Sequence, residues 1–205
     1  MNRVGLTGTV ASGKSTVGDL FERWGARRMD ADVLARRAVA PGSDALRRIR
    51  ETWGDGVVSA DGSLDRAALR RQVFADQDAR ARLEGIVHRE VRRLRAEWRA
   101  EMEKVGALLL VEEIPLLYET GLEDDYDAIV VVDAPAELRA ARARTSRGWS
   151  LEEFQAIDAS QMAPERKRAR ADYLIVNDGD REALERRARD VWCSLCGIDC
   201  VDGSA

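Results

Sequence analysis

A glycine-rich stretch near the N-terminus, ending in a lysine and a serine, carries the strongest chemical signal in the sequence. Residues 8–15 read GTVASGKS and fit the pattern G-x-x-x-x-G-K-[ST]. Glycine permits backbone conformations that other residues avoid, so the amide N–H groups of such a loop can curl around phosphate oxygens. In this pattern the lysine neutralises the β- and γ-phosphates, and the serine hydroxyl ligates Mg²⁺. The stretch therefore predicts a phosphate-binding loop in which Lys14 meets phosphate and Ser15 meets the metal ion.

Two aspartates, Asp30 and Asp32, follow a short run that predicts a second strand. Ligands of open α/β sheets bind beyond the carboxyl ends of the strands, so we expect both side chains to border the cleft beside the phosphate loop. A carboxylate there can orient an acceptor hydroxyl and take its proton late in a loose transition state, which asks for little basicity. We assign this role to Asp32, whereas Asp30 is equally suited to capping the next helix.

An arginine-rich stretch could supply cations for the same chemistry. Arg139, Arg142, Arg144 and Arg147 lie within nine positions of one another. Phosphoryl transfer spreads negative charge over the moving group, so its catalysis consists mainly of aimed cations and alignment. A mobile lid that closes over ATP would bring these cations and exclude water. We therefore interpret residues 137–170 as a lid; the alternative is an ordinary charged helix in solvent.

The elements that must position these residues follow from short apolar runs and helical spacings. Residues 4–7, 107–111, 128–132 and 173–176 predict buried strands, and residues 26–29 predict a weaker one. Apolar runs of this kind, separated by helical stretches, are typical of a parallel sheet covered by helices. After the glycine-rich loop, Val17, Leu20, Phe21 and Trp24 share one face of a helix. The predicted fold is a P-loop kinase-type α/β sheet flanked by helices.

The middle of the chain differs from the rest because its apolar residues follow helical spacing. Residues 83–102 predict one long amphipathic helix with a charged outer face. We expect one kinase domain over residues 1–205, with a helical acceptor-binding insertion at about 41–106 and the lid at about 137–170.

Composition limits the classes of partner. The chain has 205 residues and a formal net charge of −4, and a mildly acidic surface is a poor general binder of nucleic acid. No apolar run is long enough to cross a membrane, and no export signal is visible at the start. Cys193, Cys196 and Cys200 lie close together near the C-terminal end. A structural zinc site takes four ligands, and the single histidine is far away in the sequence, so we expect these cysteines to be free thiols. These features predict a cytoplasmic protein, a monomer or small homo-oligomer, without membrane or nucleic-acid partners.

The kind of phosphate-loop protein is narrowed by missing motifs. The only asparagines are Asn2 and Asn177, and no aspartate stands three residues before a glycine, so the N-K-x-D and D-x-x-G elements of switch GTPases are absent. Motor and pump ATPases are usually larger. The chain's length and two insertions favour a small-molecule kinase. A nucleoside or nucleoside-monophosphate kinase and a regulator that only senses ATP remain alternatives.

An ordered set of motifs resembles the dephospho-CoA kinase family over nearly the whole stretch from Val4 to Asn177. The matching segments are residues 5–8, 12–16, 30–32, 41–43, 61–66, 73–74, 83–84, 114–119, 161–162 and 171–172, with Leu69, His88, Arg142, Arg147, Ile175 and Asn177. Departures include Arg139, where the family commonly has glutamine, and Thr9 and Ala11, where it usually has glycine.

The resemblance implies transfer of the ATP γ-phosphate to the ribose 3′-hydroxyl of dephospho-CoA, with Mg²⁺ accompanying ATP. It implies catalytic roles for Asp32, Lys14 and Arg142, with Arg147 competing for the role of lid cation. The residues expected to bind ATP are Ala11, Ser12, Gly13, Lys14, Ser15, Thr16 and Asn177, and those expected to bind the acceptor are Asp32, His88 and Tyr118. From the residues alone, a lone histidine on a helix such as His88 is more often a structural side chain than a substrate contact. Glu112 and Glu113 end a predicted strand, where one of them could hold a metal-bound water or both could simply be solvated.

Overall fold

A computed structural model describes residues 2–74 and 76–198 of the chain. Five strands in this part of the chain form one parallel sheet: β1 (Asn2–Gly8), β2 (Arg27–Asp30), β3 (Leu109–Glu113), β4 (Ala128–Asp133) and β5 (Tyr173–Val176). The strand order is β2-β3-β1-β4-β5. This arrangement confirms the predicted parallel sheet flanked by helices, including the weak second strand.

The helices, in chain order, are α1 (Lys14–Arg23), α2 (Ala31–Ala38), α3 (Asp44–Trp53), α4 (Arg66–Val73), α5 (Gln77–Lys104), α6 (Ala136–Arg147), α7 (Leu151–Ala159), α8 (Pro164–Arg168) and α9 (Arg181–Cys196). Short 3₁₀ turns occupy Asp55–Val57 and Glu123–Asp125. None of the helices within the described residues is long and apolar enough to span a membrane.

The chain divides into two compact units, Met1–Asp30 with Gly106–Ala205, and Ala31–Val105. The first unit contains the sheet. Its core is built from apolar side chains of β1, β3 and β4 together with α1 and α9, and Phe21 of α1 packs on Trp192 of α9 with ring centroids 5.7 Å apart. Burial on both faces explains why these strands are continuous apolar runs.

The second unit, Ala31–Val105, consists mainly of the helices α2, α3, α4 and α5. Helix α2 buries Leu34 and Ala38 and packs against α5. The predicted long amphipathic helix is confirmed as α5, and Ser43 caps α3 by accepting a hydrogen bond from the Leu46 N–H at 3.1 Å. The core of this unit combines α3, α4 and the 3₁₀ turn through Ile49, Val57 and Leu69 among others.

The cysteine-rich end departs from expectation. Cys193 is disulfide-bonded, whereas Cys196 is an exposed free thiol, so the prediction of free thiols is wrong for Cys193. The spacing of cysteines along a chain gives no distance between sulfur atoms, and that distance decides whether a disulfide forms. Cys200 lies outside the described residues. No group of three or more His, Cys, Asp or Glu in the described part of the chain is arranged to hold a metal ion.

Candidate active site

The predicted phosphate loop connects β1 to α1, and its glycines are there for steric reasons. Gly8 and Gly13 have φ values of 148° and 99°, which L side chains rarely adopt. A Cβ atom at Gly8 would lie 2.0 Å from the Val132 carbonyl oxygen, and one at Gly13 would lie 2.3 Å from Asn177 Nδ2. Helix α1 starts directly after Gly13, so its N-terminal N–H groups and positive dipole end belong to the loop. This geometry is suited to binding an anion.

Polar atoms inside the loop fit a phosphate ligand. Lys14 is buried, and its Nζ donates hydrogen bonds to the carbonyl oxygens of Gly8 and Thr9 at 3.1 and 3.0 Å. Thr9 Oγ1 and Ser12 Oγ are buried and have no hydrogen-bond partner within the described residues. Buried hydroxyls nearly always have partners in folded proteins, so these two groups have free capacity for an oxygen-rich ligand.

Ser15 and Glu113 bring oxygen ligands together beside the loop. Ser15 Oγ donates a hydrogen bond to Glu113 Oε1 at 2.8 Å, across 98 positions of sequence. The other carboxylate oxygen of Glu113 accepts a hydrogen bond from Arg28 at 2.7 Å, and Glu113 is only 4% exposed. A hydroxyl and a carboxylate are hard oxygen ligands of the kind that Mg²⁺ prefers, and this ion commonly takes few protein ligands plus substrate phosphates. The pair therefore fits a divalent metal ion that accompanies ATP.

Arg28 reaches Glu113 by crossing the middle of α1. It also forms an ion pair with Asp19 of that helix. A Cβ atom at Gly18 would lie 2.6 Å from Arg28 Nε, so the absence of a side chain at Gly18 makes room for the guanidinium. Glycine inside a helix costs about 1 kcal/mol relative to alanine. The close passage of Arg28 accounts for its presence here.

Asn177 links the end of β5 to the phosphate loop and to Arg142 of the predicted lid. Its Nδ2 donates to the Ser12 carbonyl oxygen at 2.8 Å, and Arg142 Nη2 donates to both oxygens of Asn177 at 3.1 and 3.2 Å. Arg142 Nη1 is buried and has no hydrogen-bond partner in the described part of the chain. A cavity of about 450 Å³ opens here, lined by Gly13, Thr16, Arg142, Asn177, Asp180 and Arg181 among others. Its volume lies within the usual range of small-ligand sites.

The arginines of the predicted lid occupy different environments. Arg139 is 2% exposed, forms an ion pair with Asp158 and donates to the Ala134 carbonyl oxygen at 3.0 Å. Arg147 is exposed and its guanidinium lies 4.7 Å from the centre of the Trp149 ring. Of these arginines, Arg142 lines the cavity, whereas Arg139 is enclosed with Asp158 and Arg147 lies over Trp149.

The three predicted acceptor-binding residues lie in different parts of the chain. Asp32 is exposed in the first turn of α2, and His88 is exposed on α5, so both belong to the helical unit. Tyr118 belongs to the unit with the sheet and is 5% exposed. Its hydroxyl donates to the Arg170 carbonyl oxygen at 2.7 Å, and burial raises the pKa of Tyr118 to about 12. The hydroxyl is thus protonated and engaged by the fold, and an acceptor contact through Tyr118 stays a prediction.

Reasoning from the sequence assigned no role to Arg28 or Gln161, and it left Glu113 and Glu112 equivalent. Gly18 was an available signal for Arg28, because a glycine inside a helical pattern often marks a close approach. Strand register distinguishes the two glutamates: Glu113 pairs with Leu6 of β1 and Asp30 of β2, and its side chain reaches Ser15. Glu112 instead accepts a hydrogen bond from the Tyr126 hydroxyl at 2.8 Å.

Comparison with known proteins gives a consistent result. A family model described as dephospho-CoA kinase matches residues 2–183. A dephospho-CoA kinase of Geobacter sulfurreducens is 43% identical over 192 residues, covering 94% of this chain and 98% of that protein. The dephospho-CoA kinase of Anaeromyxobacter dehalogenans is 44% identical over 197 residues, covering 96% of this chain and 93% of that protein.

Comparison with solved structures leads to the same family. A dephospho-CoA kinase from Campylobacter jejuni has a TM-score of 0.71 and 25% identity, covering 96% of this chain and 98% of that one. A crystal structure of a Thermus thermophilus protein has a TM-score of 0.79 and 41% identity, covering 95% of this chain and 97% of that one. The predicted resemblance is confirmed. With a phosphate loop, a cavity at its side and a match along almost its whole length, the chain belongs to the dephospho-CoA kinase family of ATP-dependent kinases.

Proposed function

We propose that the chain transfers the γ-phosphate of ATP to the ribose 3′-hydroxyl of dephospho-CoA with Mg²⁺ as the metal ion, releasing ADP. The observation that carries this proposal is the phosphate loop, which opens onto a cavity of about 450 Å³ where Arg142 has an unpartnered buried Nη1. The triphosphate lies along the loop, and the nucleoside lies in the cavity beside Asn177. In-line transfer then needs an acceptor hydroxyl aligned with the terminal phosphorus.

Cations and N–H groups of this chain balance the charge that develops on the phosphoryl group. Lys14 leaves the carbonyl oxygens of Gly8 and Thr9 and meets the β- and γ-phosphates, with Ser12, Gly13 and Thr16 contributing donors. Arg142 supplies a second cation from the lid side, with Arg147 as the competing candidate. Aimed charges of this kind act in a site that excludes water, where they stabilise the transition state most strongly.

Ser15 and Glu113 are the residues that would hold the metal ion. When bound, Mg²⁺ neutralises charge on the β- and γ-phosphates. Within the protein, Glu113 orients the Ser15 hydroxyl through one oxygen, while Arg28 holds its other oxygen and balances its charge. These two contacts of Glu113 keep the Ser15 side chain in one rotamer, with its oxygen lone pairs available to the metal ion.

Asp32 is the residue we propose to align the acceptor hydroxyl and to accept its proton. Support comes from chain connectivity, because Asp30 ends β2 in register with Glu113 and Asp32 follows two residues later. His88 and Tyr118 are proposed acceptor contacts. The predicted cytoplasmic location and the predicted monomer or small homo-oligomer stay predictions.

A panel of acceptors tests the function. ADP release is measured with dephospho-CoA, AMP, CMP, UMP and adenosine, and we expect turnover with dephospho-CoA alone. The position of the new phosphate on ribose is read by phosphorus NMR of the product. Comparable turnover with a nucleoside or a nucleoside monophosphate would contradict the assigned acceptor, and ATP binding without stimulation by any acceptor would indicate a regulator.

Lys14→Ala, measured in the same assay, tests whether the phosphate loop takes part in the reaction. Removing a group aimed at the transition state typically costs roughly 10²–10³-fold in kcat, and we expect at least this loss. Lys104→Ala is the control, since Lys104 is exposed at the end of α5. Near-normal turnover of Lys14→Ala would remove the phosphate loop from the mechanism.

A further inference from the structure

The lid holds one residue of the phosphate loop on both sides of its backbone. Val10 N–H donates a hydrogen bond to Gln161 Oε1 at 2.9 Å, across 151 positions of sequence. The Val10 carbonyl oxygen lies 3.5 Å from Arg139 Nη1, a long hydrogen bond. The side chain of Val10 is buried with Ala143 and Phe154 of the lid. Both polar groups of a single loop residue are therefore satisfied by the lid.

Arg139 is fixed in place for this contact. It is 2% exposed, pairs with Asp158 of α7, donates to the Ala134 carbonyl oxygen and lies 5.4 Å from the centre of the Phe154 ring. A buried guanidinium with all these partners has little freedom to leave for a phosphate, since breaking a buried pair exposes an uncompensated charge to the protein interior. Its position serves the contact between lid and loop.

The next loop residue, Ala11, has a backbone conformation that needs such support. Its φ is +58°, the only positive value among the described residues other than glycine. An L-residue in this left-handed region is disfavoured by roughly tenfold in population. The Val10–Ala11 peptide plane is set on one side by φ of Ala11, and the carbonyl of that peptide is the one that faces Arg139. Ala11 also packs against the apolar cluster of the lid.

We propose that Gln161, together with Arg139, acts as a positioning residue for the phosphate loop. By holding the Val10 backbone, the lid stabilises the left-handed conformation of Ala11, and with it the orientation of the loop N–H groups that meet phosphate. Docking of the lid and formation of the nucleotide site are then coupled. Neither residue touches ATP in this role. The inference rests on the proposed function only in that ATP binds to the loop.

The experiment is a double-mutant cycle between Gln161, which holds the Val10 N–H, and Ala11, which has the positive φ. Gln161→Met keeps the length of the side chain but removes the acceptor for the Val10 N–H. Ala11→Gly removes the cost of the positive φ, because glycine adopts this region readily. The Kd of ATP is measured by calorimetry without acceptor for the native protein, each single variant and the double variant. Gln155→Met, on the exposed face of α7, is the matched control.

We expect Gln161→Met to raise the Kd of ATP about fivefold to tenfold, the size of one lost hydrogen bond. In the Ala11→Gly background, Gln161→Met should raise the Kd of ATP by less than about twofold, since the loop conformation no longer depends on the hydrogen bond to Gln161. The kcat at saturating ATP should change much less than Kd in both backgrounds, and Gln155→Met should leave Kd at the native value. Gln161→Asn, whose amide is one methylene shorter, should behave like Gln161→Met.

Two results would overturn the inference while leaving the kinase assignment intact. One is an unchanged Kd in Gln161→Met and Gln161→Asn. The other is an equal rise in Kd in the native and Ala11→Gly backgrounds, which would mean that Gln161 acts independently of the loop conformation. If the native protein itself binds no ATP, the proposed function fails instead, so the two failures are distinguishable. Melting temperatures of all variants separate a loss of folding from a loss of binding.

Discussion

One carboxylate beside the phosphate loop meets two different partners. Glu113 accepts a hydrogen bond from the neutral hydroxyl of Ser15 through one oxygen and from the cationic Arg28 through the other. Hydrogen bonds to charged groups are stronger than neutral ones, so Arg28 fixes the carboxylate and the carboxylate in turn fixes the serine. A side chain oriented in this way needs no reorganisation when a metal ion and ATP arrive, which is the condition for electrostatic catalysis.

Asp32 is the residue proposed to align the acceptor hydroxyl and accept its proton, and Asp32→Asn tests this role. Asparagine keeps the size of the side chain but cannot accept the acceptor proton, so we expect kcat to fall roughly 10²-fold. The Kd of ATP should stay near the native value, because Asp32 acts on the acceptor side. Asp78→Asn is the matched control, since Asp78 is also exposed in the first turn of a helix of the same unit. Near-normal kcat in Asp32→Asn would show that another group, or none, takes the proton.

At the scale of elements, α1 and β2 are joined by the passage of Arg28 over Gly18. Alanine in a helix is about 1 kcal/mol more favourable than glycine, but at this position its Cβ would displace Arg28. We expect Gly18→Ala to lower the free energy of unfolding by about 1 kcal/mol in the native protein and to raise it by about 1 kcal/mol in an Arg28→Ala background. Urea denaturation of the four proteins gives the coupling energy.

Gly85 provides the control for this cycle. It lies on α5, and no atom of the described residues would come within 4 Å of a Cβ added there. Gly85→Ala should therefore be stabilising by about 1 kcal/mol whether or not Arg28 is present. The same increment for Gly18→Ala in both backgrounds would refute the steric explanation of the glycine.

A buried ion pair joins the segment after β3 to α8 and predicts a pH dependence. Lys167 is fully buried, and its Nζ lies 2.9 Å from Glu119 Oε1. Burial alone would raise the pKa of Glu119, but hydrogen bonds from Lys167 and the Met162 N–H hold it below its ordinary value of 4.5. Because the folded-state pKa is depressed, the paired carboxylate stabilises the fold above pH 4.5, and this stabilisation is lost as the pH falls through the folded-state pKa.

Glu119→Gln measures that contribution. At pH 7 the variant leaves an uncompensated buried ammonium, and we expect its free energy of unfolding to be about 3 kcal/mol lower than that of the native protein. The difference should be constant above about pH 5.5 and should shrink below the ordinary carboxyl pKa. Denaturation across this range is the measurement, with Glu103→Gln on the exposed face of α5 as control. A difference independent of pH would mean that the loss comes from packing.

At the scale of the whole molecule, the charge balance predicts weak binding to nucleic acid. The formal net charge is −4, with basic and acidic residues interspersed along the chain. We expect anions to be bound locally, by a few donors of the phosphate loop and the predicted lid. We expect a labelled duplex DNA to bind more weakly than about 10⁻⁴ M at physiological salt in fluorescence anisotropy. Micromolar binding that weakens steeply with added salt would reveal a basic surface and contradict this expectation.

The glycine-rich loop, the five strands and the long helix α5 were predictable from the sequence, because each rests on residues close together in the chain. A glycine pattern specifies a local backbone, and apolar periodicity specifies which local structure can bury its side chains. The order of the matching motifs also indicated the kinase family. These signals need no knowledge of which distant residues meet.

Which side chains meet in the candidate site depends on how distant parts of the chain pack together. In the strand order β2-β3-β1-β4-β5, β3 lies directly beside β1, and Glu113 at the end of β3 reaches Ser15. Strand β5 lies beyond β4, and Asn177, which follows β5, reaches Ser12. The fold also assigns similar arginines to different tasks: Arg142 lines the cavity, while Arg139 is enclosed with Asp158. Spacing along a helix could not distinguish them, because the burial of a charge depends on the partners that the fold provides.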